Sequence, residues 1–101
     1  MQLAMDQRET RARAIQAAIR DVLLNHWDPI GVAGDPAAQD EYDAYVGGVY
    51  RVLASGAGAV EVAEHLAGVE QEFMGLATSP SALLAVAQRL CAIDVTLNGV
   101  A

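Results

Sequence analysis

The sequence predicts an all-α protein, a compact four-helix bundle-like single domain. Four segments repeat their apolar residues at the i, i+3, i+4, i+7 spacing of one helix face, and no stretch of useful length alternates as a strand would. Asp35-Pro36 and Ser79-Pro80 have the form of helix starts, a capping side chain followed by proline at the first helical position. At 101 residues the chain is long enough for one modest core and too short for two, so residues 1–101 form one domain.

The first helix is expected over about 8–26, starting between Asp6 and Thr10 and leaving residues 1–7 frayed, with Ile15, Ile19, Val22, Leu23 and His26 on one face. Pro29 and two glycines then make Trp27-Asp28-Pro29-Ile30-Gly31-Val32-Ala33-Gly34 a structured turn, in which Trp27 and Ile30 fold back on the core and Asp28 bonds to backbone beyond Pro29. The second helix is expected over 36–54 on the stripe Tyr42, Tyr45, Val46, Val49, Tyr50 and Leu53. The third covers 58–74, burying Val62, Leu66, Val69 and Phe73 and stopping at Gly75. The fourth covers 80–97 on Leu83, Val86, Ala87, Leu90, Ile93 and Leu97 and ends at Asn98-Gly99. Leu84, Cys91 and Val95 make that last helix apolar on a second side, so it either lies centrally or pairs with a second copy in a homodimer. Glycines at 47, 48 and 68 interrupt helices two and three, where a neighbouring helix or a ligand groove comes close to the backbone.

Charge narrows the partners. The net charge is −7, and residues 25–75 hold nine acids against Arg51 alone, a local −8. That field opposes nucleic-acid phosphates and anionic lipid and favours a basic protein partner or a cation; acids that keep a small protein soluble and monomeric are the simpler explanation. No apolar run approaches the roughly 20 residues of a membrane span. The first residues carry no basic region followed by an apolar stretch, and Cys91 is alone, which together predict a soluble cytoplasmic protein; absence of lysine with abundant Ala, Gly and Val fits a GC-rich bacterial genome.

Candidate chemistry is sparse. Asp40 and Asp43, three apart near the start of the second helix, project from similar faces and could hold a cation or share a proton, although the helix dipole accounts for acids there without any function. Glu61 and His65 lie one turn apart, but no second Glu-x-x-His pair exists to complete a metal site. His26-Trp27-Asp28 has a titratable imidazole beside a carboxylate but no nucleophile in a motif, and Cys91 reads as a small buried hydrophobe. The sequence calls for no metal, no cofactor and no catalytic residue.

Two strings, Trp27-Asp28-Pro29-Ile30-Gly31-Val32 and Asp40-Glu41-Tyr42-Asp43-Ala44-Tyr45, together with Leu53-Ala54-Ser55-Gly56 and Phe73-Met74-Gly75-Leu76, resemble the YugE-like family of small bacterial proteins of unknown function. The resemblance spans residues 19–76, fades through the fourth helix, and implies a compact helical fold with no activity to transfer. It also suggests one composite surface in which Trp27 and Asp28 meet Asp40, Glu41 and Asp43 at the mouth of the bundle. The expectation is a non-catalytic interaction module, immunity- or antitoxin-like, that binds a basic partner there. A metal-binding or hydrolytic enzyme using Asp28, Asp40 and Asp43 and a homo-oligomeric scaffold are the alternatives.

Overall fold

The computed structural model describes residues 2–96, with side chains from Gln7 onward, and among them are four α-helices and no strand. Helix α1 spans Gln2–Val22, α2 Asp43–Ala54, α3 Ala59–Met74 and α4 Leu84–Cys91. The expected all-α, four-helix architecture is therefore the one observed, with differences confined to helix ends. Helix α1 begins at Gln2, earlier than expected, because residues 2–9 are mostly strong helix formers.

Ile15, Ile19 and Leu23 recur every four residues and are buried along one side of α1. Its last turn widens into a π turn at Leu23–Trp27, closed by the Asp28 N–H donating to the Leu23 carbonyl at 2.9 Å. The wider turn lets Leu23, Leu24 and Trp27 all reach the interior, whereas His26, placed on the buried face by the periodicity, stands exposed. Asp28 ends the helix in the left-handed region at φ 36°, ψ 57°, where Asp is tolerated better than most side chains.

The helical path expected over 36–54 begins as a 3-10 turn at Pro36–Ala38, and successive i to i+3 bonds carry the chain to α2. Asp35 caps that turn by accepting from the Ala37 N–H at 2.9 Å, and the Gln39 amide ties it back to the Ala33 and Asp35 carbonyls. The tighter winding turns Tyr42, 1% exposed, into the core just ahead of α2. Helix α3 matches its expected span, with the Glu61 carboxylate accepting from the Gly58 N–H and Gly75 closing the helix at φ 67°.

Two shorter elements replace the fourth predicted helix: a 3-10 turn at Pro80–Leu83 and then α4, which stops at Cys91 instead of 97. The Asp94 carboxylate accepts from the Thr96 N–H at 2.9 Å, a local bond that competes with helix continuation among the β-branched Ile93, Val95 and Thr96. Arg11 fixes the same segment, pairing with Asp94 at 3.0 Å and donating to the Thr96 carbonyl. Leu97 and the expected Asn98-Gly99 end lie outside the described residues.

The core is a continuous cluster to which every helix contributes: Ile19 and Leu23 from the first turn pair, Val49 and Leu53 from α2, Val62 and Leu66 from α3, and Leu90 from α4. Burial of each aliphatic side chain stabilises the fold by roughly 1.5–3 kcal/mol before the entropy of ordering is subtracted. Helix α3 packs most widely on α4 and its preceding turn, while α1 lies against α2 and α4.

Candidate functional site

The five residues expected to share a surface divide between the interior and the outside. Trp27 is buried, and its indole N–H donates to the Glu70 carboxylate at 2.9 Å. Glu70 is itself 2% exposed and also accepts from the Thr78 hydroxyl at 2.6 Å. A buried carboxylate needs donors to replace water, and here two neutral side chains supply them. The Trp27 ring packs at a tilt on Tyr42, centroids 5.3 Å apart, and edge-on to Tyr45 at 6.0 Å.

Asp28 holds the turn that follows. Its carboxylate accepts from the backbone N–H of Val32 at 2.7 Å, from that of Ala33 at 3.1 Å and from the Tyr42 hydroxyl at 2.8 Å. The same hydroxyl accepts from the Ile30 N–H at 3.2 Å. Burial pushes the Asp28 carboxyl up, but the Tyr42 hydroxyl and the Val32, Ala33 and Gly31 amides together hold it below its ordinary value. Burial is also the largest influence on Tyr42, pushed up to about 12 with Asp28 and Glu41 adding to the rise against the opposing Ile30 bond. Asp28 is thus ionised with its acceptor sites occupied, which suits a structural anchor and not a proton shuttle.

Asp40 and Glu41 are exposed, and Asp43 is half-buried with an oxygen 2.6 Å from Arg20 Nε, tying α2 to α1. The two motifs do meet, through the Asp28–Tyr42 bond, but the carboxylates do not gather around a shared point. Among the described residues no three His, Cys, Asp or Glu side chains lie where they could hold one metal ion. Glu61 turns back to its own helix start, and His65 lies over Gly48, where a Cβ built on the glycine would stand 3.4 Å from Nε2. Cys91, expected buried, is exposed because α4 turns its outer side to solvent there.

A feature the sequence marked only through Gly48 lies on the outer side of the α2–α3 hairpin. A groove of about 370 Å³ runs between the helices, lined by Tyr45, Gly48, Arg51, His65, Val69 and Phe73. Phe73, expected in the core, is 66% exposed, its ring 6.1 Å from that of Tyr45. Ile30, also expected to fold inward, is 46% exposed because its N–H, and not its side chain, is what the turn uses. The register carries a signal for part of this. Glu70 follows Leu66 by four residues and so falls on the buried stripe of α3, while Phe73 sits in the helix's last turn, beyond the end of the core it was expected to join.

Comparison with protein-family models, with curated proteins and with solved structures finds no match to this chain. No helix among the described residues is long and apolar enough to cross a membrane.

Proposed function

We propose that the protein is a non-catalytic interaction module, immunity- or antitoxin-like, that engages a basic protein in the bacterial cytoplasm. The observation that carries this is Phe73, a large aromatic side chain left two-thirds exposed on Tyr45 beside the acidic Glu72. Aromatic anchors in shallow grooves are the residues on which binding energy concentrates, and scattered carboxylates around them steer a basic partner without having to be buried. Asp40 and Glu41, exposed in the turn a few residues ahead of the groove residue Ala44, and exposed Glu72 are the carboxylates this reading assigns to steering.

Trp27 and Asp28 support the surface and do not form it, since each is already bonded within the fold, and Asp43 is engaged by Arg20 at the surface. Nothing observed favours the metal-binding or hydrolytic alternative, whose three carboxylates sit in different surroundings. Helix α4 likewise offers a second copy little apolar area: Leu84 and Val95 pack on the core, and its exposed residues are Ala85, Gln88, Arg89 and Cys91.

The test is capture from native lysate with the wild type, Phe73→Ser and the double variant Asp40→Asn/Glu41→Gln, followed by affinity measurement with the captured protein made pure. A basic protein whose affinity drops roughly 30-fold for Phe73→Ser, as loss of an anchor worth about 2 kcal/mol requires, supports the proposal. The double variant should slow association and flatten the salt dependence. Equal retention by all three proteins would overturn it.

A further inference from the structure

From the groove geometry we infer that its Arg51 end is a binding site for a small organic anion with a flat apolar body, its charge on the Arg51 guanidinium and its body between Tyr45, Val69 and Phe73. This shares Phe73 with the partner proposal but does not rest on it, since it stands on Arg51 and His65, which that reading does not use.

Four observations converge on the site. The groove, at about 370 Å³, falls within the size range of small-molecule pockets. Its walls are two aromatic rings and a valine, and at Gly48 the absence of a side chain lets the His65 ring rest close on the backbone. Arg51, the sole cation among residues 25–75, lies in the lining, with no ion-pair partner among the described residues. His65, also in the lining, has its Nε2 over Gly48, closed off from water and without a hydrogen-bond partner.

The surrounding acidity does not cancel this end. Burial is the main influence lowering the His65 pKa, and the charge that adds to it is Arg51; no carboxylate acts on the ring to a comparable degree. Glu61 is drawn to its own helix start, and exposed acids further away are screened within about 8 Å at physiological salt. Arg51 is the one formally charged side chain in the groove lining. A guanidinium also recognises a carboxylate through paired parallel bonds, which a neutral isostere cannot reproduce.

The probes are 2-naphthoate and its neutral amide, 2-naphthamide, titrated into the full-length chain while amide and imidazole resonances are followed by NMR. The expected result is saturable shifts at Gly48, His65 and Phe73 with naphthoate, at a Kd on the order of 1 mM or tighter, as its heavy-atom count allows. Naphthamide should bind at least ten-fold more weakly, and Arg51→Gln should weaken naphthoate by a similar factor while leaving the circular dichroism spectrum unchanged. His65 should titrate at higher pH when naphthoate is bound, because a carboxylate beside it stabilises the imidazolium. Absence of saturable shifts at these residues would overturn the inference. So would equal binding of acid and amide, or full affinity in Arg51→Gln, since either would mean that Arg51 recognises nothing.

Discussion

The turn joining α1 to α2 and the outer groove between α2 and α3 share one aromatic cluster yet are finished differently. At the turn, Trp27, Glu70 and Thr78 satisfy one another, and Asp28 and Tyr42 take up three backbone amides between them. In the groove, Phe73 is exposed, His65 Nε2 has no partner, and Arg51 faces open space. Polar residues in a completed network maintain shape. Unfinished groups at a surface are where an occupant has something to gain, and the most motif-like residues of this chain are of the first kind.

That contrast breaks most readily at Trp27. Trp27→Ala should lower the free energy of unfolding by about 3–5 kcal/mol in urea titration, since it empties a large core volume and strips a donor from buried Glu70. A loss under about 1 kcal/mol would mean that the turn is not what organises this end of the fold. Tyr42→Phe should cost about 1–3 kcal/mol, because Asp28 loses a donor and the Ile30 N–H loses its acceptor, with far-ultraviolet dichroism unchanged.

Titration of stability with pH sharpens the comparison, because both regions contribute with the same sign but in different windows. Asp28 has a folded pKa below the unfolded value near 3.8, so its contribution is complete above that pH and is lost as pH falls through the folded value. Asp28→Asn should remove that acid limb. His65 has a folded pKa below its unfolded value of 6.5, so the unfolded chain binds the proton first and stability declines as pH falls from there toward the folded value. His65→Gln should flatten the curve in that window and leave the acid limb intact. The smallest effect is expected at Phe73→Ser, within about 0.5 kcal/mol of wild type, because the side chain is mostly in water.

The helices were legible because buried aliphatics such as Ile15, Ile19 and Leu23, or Val62, Leu66 and Val69, repeat at helical spacing whatever surrounds them. Helix α3 was legible at both ends, since Gly58 and Gly75 leave few other places to stop. The end of α4 was not: Ile93 and Leu97 keep the periodicity going, while a local Asp94–Thr96 bond competes with the helix and Arg11, more than eighty residues away, holds the segment. The fate of Asp28 as a turn anchor was readable from the proline after it, but its partnership with Tyr42 was not, because it depends on how two loops pack. Periodicity also misplaced Phe73 and Cys91, since a stripe says which residues share a face and not where the neighbouring helix ends. Arg51 could be found only as the one cation in an acidic stretch.

The most direct test of the division between supporting turn and binding groove is the affinity of the captured partner for Phe73→Ser and for Asp28→Asn, each measured where both variants are fully folded. The account predicts that Phe73→Ser loses roughly 30-fold in affinity with little change in stability, while Asp28→Asn loses stability and binds as wild type does. Full affinity in Phe73→Ser together with lost affinity in folded Asp28→Asn would contradict it and move the binding surface to the turn.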